Sequence, residues 1–308
     1  MITGLNAANE QFLASINTLQ ASLDNANLQL ASGLRVNQAS DAPQEIQDIF
    51  ETRAAIGQSN QFIQNLNSVQ TQVTTADSSV QSAIQLLEQA ITLGTQGASS
   101  TSTPAEQATL ALQVQGLEAQ LVSLSNTQVD GVYIFSGDAS GSPSYQVDLA
   151  SPTGVDRLVN APATQQIADP TGVTFQVSMT AQDLFDQRDV NDNPTAANAF
   201  AALNSLNLAL QSGNTANITT AIASLQTADS YVNQQLGFYG ATENRISSSL
   251  NLAQKFQLQG QATLSNLEDA NIPAEALAVT QATTNLNAAM AAEAKRPTTT
   301  LFDFLPQG

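Results

Sequence analysis

The sequence predicts a mainly α-helical protein. We expect a long antiparallel coiled-coil-like helical bundle formed by the N- and C-terminal halves, with a small β-rich domain inserted between them. Apolar residues recur at alternating spacings of three and four over long stretches of both halves, and this spacing is typical of a helical seam. Between these stretches, clusters of Gly, Pro and Asp separate short β-like runs, which is typical of small sheets and turns.

The N-terminal half contains three helical segments of this kind. The first seam runs through Phe12, Ile16, Leu19, Leu23, Ala26 and Leu30. The second runs through Phe62, Leu66, Val69, Val73, Ala76, Val80, Ala83, Leu87 and Ala90. The third runs through Leu110, Val114, Leu117, Leu121 and Leu124. Because small residues alternate with large ones, the predicted helices can approach one another closely.

The C-terminal half repeats the pattern. A segment through Phe200, Leu203, Leu206 and Leu210 precedes a break at Ser212-Gly213-Asn214, and a longer seam follows from Ile218 to Leu267. Asp229, Glu243 and Gln257 fall on that seam, where polar residues either fix the pairing of helices or mark a solvated edge. A last helix is expected from about Pro273 to Lys295, with the proline in its first turn.

The middle of the chain predicts the inserted domain, with β-like runs at residues 145–147 and 173–177. Its two ends should lie close together, because the flanking helices are antiparallel partners. We therefore divide the chain into three parts. Residues 1–42 and 268–308 form a terminal helical assembly domain, residues 43–137 and 195–267 a helical rod domain, and residues 138–194 a β-rich outer domain.

Composition narrows the classes of function. Only 11% of the residues are charged and the net charge is -18, so nucleic acid and anionic membrane are poor partners. Cys and His are both absent, which removes the thiolate nucleophile, the usual general base and the commonest metal ligand. No apolar run reaches the roughly 18 residues of a membrane span, and the N-terminus shows no cleavable signal peptide. We therefore expect that the protein is not an enzyme, binds no cofactor or metal ion, and does not insert into a membrane.

Three weaker motifs favour structural interpretations. The stretch 189–193 begins like a calcium loop, but Pro194 stands where glycine is required and Phe200 where the loop needs Glu. The carboxylates of Asp183 and Asp186 are better explained as acidic residues at a solvated helix end than as a glycosidase pair. An aromatic cluster could be a sugar platform, although core packing explains it better; it consists of Tyr133, Phe135 and Tyr145.

The two chain ends point to assembly. Isolated amphipathic helices are marginal in water, and two of them shield only part of each apolar face, so neighbouring molecules would complete the burial. The alternative is that both ends complete one intramolecular bundle. The predicted assembly interface consists of Phe12, Ile16, Leu19, Leu23, Leu30, Leu277, Leu286, Met290, Leu301, Phe302, Phe304 and Leu305.

The stretch 28–43 joins the first helix to the second. Gly33 can end the first helix, Arg35 offers a fork of donors, and Ser40 or Asp41 can cap the next helix. The predicted helix-junction turn consists of Gly33, Arg35, Asn37, Ser40, Asp41 and Pro43. This stretch resembles the segment that ends the N-terminal helix in the flagellin superfamily, although Ala42 stands where a second Asp is usual.

Three further segments resemble the hook-filament junction (hook-associated protein 3) family within that superfamily. The run from Leu124 to Gly137 resembles the lead into that family's inserted domain. The run from Leu236 to Ile246 resembles its Leu-Gly-Ala-Arg-x-Asn-Arg segment. The end, Leu301-Phe302-Asp303-Phe304-Leu305, resembles its Leu-Phe-Asp-Tyr-Leu terminus. Together the similarities cover about four fifths of the chain.

The resemblance implies a structural subunit of the bacterial flagellum. Its expected partners are hook-associated protein 1, flagellin, copies of itself in a ring and a cytosolic export chaperone. It would be secreted without a cleaved signal peptide and would be extracellular. A filament flagellin with a small outer domain is the alternative, and a glycan-binding module or enzyme within residues 138–195 is a third hypothesis.

Overall fold

The computed structural model describes residues 2–295, with side chains described for residue 7 and residues 9–295. The helices are α1 (Ile2–Ser32), α2 (Ile46–Gly97), α3 (Pro104–Ser125), α4 (Ala181–Phe185), α5 (Ala199–Ser212), α6 (Thr215–Glu268) and α7 (Ile272–Ala294). The strands are β1 (Gln128–Val129), β2 (Val132–Tyr133), β3 (Tyr145–Val147), β4 (Val155–Arg157), β5 (Gln166–Ala168) and β6 (Thr174–Gln176). The predicted mainly α fold is confirmed.

The chain divides into two compact units. Unit 1 takes in the described residues up to Gln58 and from Phe256 onward, and unit 2 comprises Ser59–Lys255. Unit 1 contains α1, α7 and one end of both α2 and α6, whereas unit 2 contains the remaining elements. Within residues 2–295, no helix is both long enough and apolar enough to cross a membrane.

The core of unit 2 follows the predicted seam of α2. Eight of its nine predicted positions, from Leu66 to Ala90, are buried, and Phe62 is half-buried. Glycine then lets the end of α2 approach its neighbours closely. A Cβ at Gly94 would lie 2.8 Å from Ile222 of α6, and one at Gly97 would lie 2.2 Å from Leu210 of α5. Larger residues at these two positions would push α5 and α6 away from α2.

Helix ends explain why the chain breaks where it does. Gly213 ends α5 in the left-handed conformation, with φ of 66°, and the Asn214 side chain accepts from the amide of Asn217 at the start of α6. Thr103 and Glu106 form a capping box before α3. Each arrangement satisfies backbone groups that a helix end leaves without a partner. The predicted break at residues 212–214 is confirmed.

Three antiparallel hairpins form the inserted region. They pair β1 with β2, β3 with β4, and β5 with β6. The predicted runs at residues 145–147 and 173–177 correspond to β3 and β6. The β1–β2 hairpin turns at Asp130 and Gly131, both with positive φ, as a two-residue hairpin loop requires.

Acidic residues face each other between α2 and α6. Burial, and then the nearby Glu243 carboxylate, raises the pKa of Asp77. Burial and the Glu88 carboxylate likewise raise the pKa of Asp229. Asp77 and Glu88 are the only charged residues of α2 within unit 2, so both of them meet a like charge. The seam residues Asp229 and Glu243 are half-buried, so they do not lie on a freely solvated edge of the helices.

Candidate assembly surface and helix junction

Helices α1 and α7 pack against each other in unit 1. Their contact buries little: among the described side chains of these two helices, only Ala26 and Ala282 are buried. Two helices that bury one alanine each gain little from tertiary packing, which supplies most helical stability in proteins. Several large apolar side chains of the pair therefore remain partly or largely exposed to solvent.

The predicted interface residues lie along this pair. Eight of them have described side chains on α1 or α7, and the terminal Leu301, Phe302, Phe304 and Leu305 lie outside the described residues. Leu277 and Met290 are exposed, and the other six are half-buried; these six are Phe12, Ile16, Leu19, Leu23, Leu30 and Leu286.

Two exposed leucines of α1 extend the same surface, although the seam pattern does not include them. Leu13 and Leu28 are both exposed. Leu13 follows the stripe residue Phe12, and Leu28 lies two positions before the stripe residue Leu30. The apolar surface of α1 is therefore wider than a narrow seam. Their apolar type next to the stripe was the signal that could have identified them.

The junction after α1 is built from backbone contacts between the two chain ends. Gly33 adopts φ of 74°, and its amide donates to Gln29 O at 2.9 Å. Leu34 pairs with Asp269 in an antiparallel bridge, and the amide of Arg35 donates to Glu268 O at 2.6 Å. Gly33 therefore directly follows Ser32, the last residue of α1, in the left-handed conformation.

The Arg35 side chain contacts two acceptors through one guanidinium nitrogen, Nη2. It donates to the Glu45 carboxylate and to Leu267 O. Nearby, Glu268 accepts from Arg53 at 2.5 Å. These contacts join the segment after α1 to the end of α6. Arg53 and Glu268 were not predicted, because 215 positions separate them.

Asp41 does not cap the second helix, contrary to the expectation from the sequence. Its carboxylate accepts from the amides of Asn37, at 3.0 Å, and Gln38, at 2.8 Å, whereas α2 begins only at Ile46. Asp41 therefore closes the loop before α2. Ser40 and Pro43 lie in the turns of the same loop. Asn37 also donates from its side chain to Leu34 O at 2.8 Å.

We expect Gly33→Ala to lower the free energy of unfolding of unit 1 by about 1–2 kcal/mol. A Cβ at this position would meet nothing within 4 Å, so the cost comes from the left-handed backbone alone. Urea unfolding followed by circular dichroism measures it. Gly33→Asn is the matched control, because Asn tolerates this conformation better than Ala. Equal losses for the two variants would contradict the conformational explanation.

The five arginines between residues 2 and 295 each contact their own chain. The guanidinium group of Arg245 lies 4.2 Å from the centroid of the Phe175 ring, a cation–π geometry. The other four form ion pairs, namely Arg35 with Glu45, Arg53 with Glu268, Arg157 with Asp192, and Arg188 with Asp186. Since the net charge is -18, the surface left to neighbouring molecules is strongly acidic.

A buried polar network holds the base of the inserted region. Asp186 is completely buried and accepts from Tyr145 Oη at 2.8 Å, Arg188 Nε at 2.9 Å and Asn198 Nδ2 at 2.5 Å. Asp186 is therefore a structural hub. In the described part of the chain, no group of three acidic residues is arranged to hold a metal ion.

The aromatic rings beside this network belong to the core. Phe135 and Tyr145 are buried, and Tyr145 packs on Phe200 with ring centroids 4.9 Å apart. Phe185 lies edge-on to Phe135 at 6.2 Å. Of the three rings of the possible sugar platform, those of Phe135 and Tyr145 are therefore inaccessible to a sugar, because they pack in the core.

Comparisons with known proteins agree with this architecture. Residues 4–140 match the bacterial flagellin N-terminal helical region, and no curated protein matches the sequence. A flagellar hook-associated protein from Vibrio parahaemolyticus is 16% identical, with a TM-score of 0.63 over 74% of this chain and 100% of that chain.

Two structures from Legionella pneumophila are also similar. Flagellar hook-associated protein 3 is 13% identical, with a TM-score of 0.61 over 71% of this chain and 98% of that chain. The flagellar junction protein FlgL is 12% identical, with a TM-score of 0.55 over 65% of this chain and 99% of that chain. Residues 4–140 therefore match the bacterial flagellin N-terminal helical region, and the chain shares the fold of hook-associated protein 3 over most of its length.

Proposed function

We propose that this chain is a structural subunit of the bacterial flagellum, joins the hook-associated zone to the flagellin filament, and assembles through α1 and α7. The observation that carries the proposal is the shortage of buried side chains in these two helices, where only Ala26 and Ala282 are buried among those described. Burying one large apolar side chain contributes about 1.5–3 kcal/mol. Covering the α1–α7 surface with neighbouring molecules would therefore supply the stability that the pair lacks by itself.

The proposed partners rest on the match of residues 4–140 to the flagellin N-terminal helical region and on the resemblance to junction proteins. They are hook-associated protein 1 on the hook side, flagellin on the filament side, and copies of this chain in a ring. A cytosolic chaperone would hold the C-terminal region before export without a cleaved signal peptide, and the assembled protein would be extracellular. We assign the chain no enzymatic role, no cofactor and no nucleic-acid partner.

A filament flagellin is the second candidate, since the family matched by residues 4–140 is named for flagellin. Immunogold labelling of flagella with an antibody against the inserted region separates the two functions. Label confined to one level next to the hook supports the junction subunit. Label along the whole filament supports the flagellin alternative and would contradict our proposal.

The double variant Leu277→Gln, Met290→Gln should reduce incorporation into flagella at least tenfold while leaving the free energy of unfolding of the monomer within about 0.5 kcal/mol of wild type. These side chains are 65% and 54% exposed, so the monomer gains little from them, whereas an assembled neighbour would bury them. Quantitative immunoblots of purified flagella, together with urea unfolding of the full-length protein, measure both effects.

The matched control is Leu112→Gln, Leu208→Gln in unit 2. These leucines are 69% and 56% exposed, so the control removes equally exposed apolar groups from α3 and α5. Incorporation of the control variant should stay near wild type. Equal loss of incorporation in the two double variants would show that general surface hydrophobicity, and not the α1–α7 surface, drives assembly.

A further inference from the structure

Glu118 of α3 is a charged residue type in an unusual place. Its side chain is completely buried, and neither carboxyl oxygen has a hydrogen-bond partner. An ionised carboxylate without a partner is costly in such a site, because burial penalises the charged form. Burial, which is the sole cause, raises the pKa of the Glu118 carboxyl to about 7.

The turn between β3 and β4 covers this carboxyl. A Cβ at Gly154 would lie 1.8 Å from Glu118 Oε1, so the carboxyl occupies the space that any other residue's side chain would fill. Gly154 is also held at φ of 74°, a conformation that glycine adopts without strain. The turn and the carboxyl are thus fitted to each other.

Hydrogen bonds from Asn204 hold the turn, residues 148–154, against α5. Asn204 of α5 donates from Nδ2 to Pro152 O at 3.1 Å and to Ser151 O at 3.4 Å. Within the turn, Gly154 donates to Ser151 O and Asp148 donates to Gly154 O, both at 3.0 Å. The bonds to Asn204 are neutral and can be exchanged for water, so releasing the turn breaks no ion pair with α5.

No nearby charge offers the carboxylate a partner. Helix α5 contains no charged residue, and the turn faces Glu118 through Gly154. Besides Glu118, the charged residues of the surrounding elements within unit 2 are Asp148, Asp156 and Arg157 on the hairpin, Glu106 on α3, Asp77 and Glu88 on α2, and Asp229, Glu243, Arg245 and Lys255 on α6. Arg157 is engaged with Asp192 at 2.8 Å.

We propose that Glu118 acts as a pH-dependent latch: the 148–154 turn docks on α3 and α5 while the carboxyl is protonated, and it is released when the carboxyl ionises. Lifting the turn is the route by which water reaches the carboxylate. The latch is independent of the proposed assembly through α1 and α7, because all of its parts lie in unit 2. Failure of either proposal would leave the other intact.

The direction of the pH effect follows from linkage. The docked state binds the proton more tightly than the released state, in which the carboxyl regains its ordinary pKa of 4.5. Docking is therefore fully favoured below about pH 4.5 and weakens as the pH rises through 7. The release equilibrium should increase up to about tenfold per pH unit in that window, roughly 300-fold in all, and level off above it.

Hydrogen exchange with mass spectrometry on the full-length protein tests the latch between pH 5 and 8.5. For the peptide covering residues 148–154, the exchange rate in wild type divided by that in Glu118→Gln should increase with pH. Taking this ratio at each pH cancels the intrinsic pH dependence of exchange. The neutral amide in Glu118→Gln should keep the turn docked throughout. Asp156→Asn, which removes an exposed carboxylate from the same hairpin, should behave as wild type.

Two results would overturn the latch. One is a constant ratio of wild-type to Glu118→Gln exchange across this pH range. The other is an equal rise in exchange over the whole of α3 and α5, which would indicate general unfolding. Should Glu118→Gln fold poorly, the wild-type pH series still decides the matter, with the α3 and α5 peptides as its internal reference.

Discussion

Asp186→Ala should lower the free energy of unfolding of unit 2 by about 3–5 kcal/mol, because it removes a buried, charged acceptor that three side chains share. Arg188, whose side chain is only 16% exposed, would keep Asp192 as its acidic neighbour, at 3.7 Å. Tyr145 would also lose its acceptor, and Asn198 Nδ2 would keep only Gln187 O, at 3.4 Å. This one side chain therefore supports three others.

Urea unfolding measures the loss. Because all four tyrosines lie in unit 2 and the chain has no Trp, tyrosine fluorescence reports on this unit. Tyr145→Phe removes only one of the three donors and should cost about 1.5 kcal/mol. Asp156→Ala, at an exposed carboxylate, should cost less than about 0.5 kcal/mol. A loss for Asp186→Ala no greater than that for Tyr145→Phe would contradict the role of Asp186 as the acceptor that three side chains share.

Phe200→Ala should destabilise unit 2 by a similar amount, about 3–5 kcal/mol, through lost burial and the cavity left behind. The ring is completely buried and contacts the rings of Tyr145 and Phe185, with centroids 4.9 Å and 6.4 Å away. These rings join α5 to the inserted region, so the cavity would open where the helices meet the strands.

Leu208→Ala is the matched control for Phe200→Ala. Leu208 lies on the same helix, α5, and is exposed, so both variants place alanine in a helix but only one opens a cavity. The control should change the free energy of unfolding by less than about 1 kcal/mol. The same fluorescence-monitored urea titration measures both variants, and comparable losses would argue against a core role for the Phe200 ring.

The helices were predictable because their signal is periodic and local. The seam from Leu66 to Ala90 is buried at every position, since residues three and four apart share one face of a helix whatever lies beyond it. Gly33 and Gly213 end helices with positive φ, a conformation that favours glycine wherever it occurs. These features depend on neighbours in the sequence.

The inserted region was less predictable, because its strands are two or three residues long and carry little periodic signal. Asp130-Gly131 is the exception: an Asp-Gly pair is a strong hairpin signal, yet the β1–β2 hairpin was not predicted. Strands β4 and β5 were also missed, since each pairs with its partner in a short register that only the folded chain reveals.

The buried polar groups were beyond sequence reasoning for a different reason. Asp186 lies 41 positions from Tyr145, so their contact depends on the tertiary fold. Asp183 and Asp186 were both read as acidic residues at a solvated helix end, and for Asp186 this was wrong, since it is completely buried. Glu118 lies on a predicted helix, but nothing in its local sequence marks it as buried.

The internal engagement of the arginines affects how two molecules meet. Their guanidinium groups neutralise acids of the same chain, so one molecule presents another with mostly uncompensated carboxylates. Diffusional encounters between such polyanions are slowed by mutual repulsion, and dissolved salt shortens its range to about 10 Å at 0.1 M. The proposed assembly of neighbouring copies should therefore become faster as ionic strength rises, the opposite of the behaviour of partners that attract each other through opposite charges.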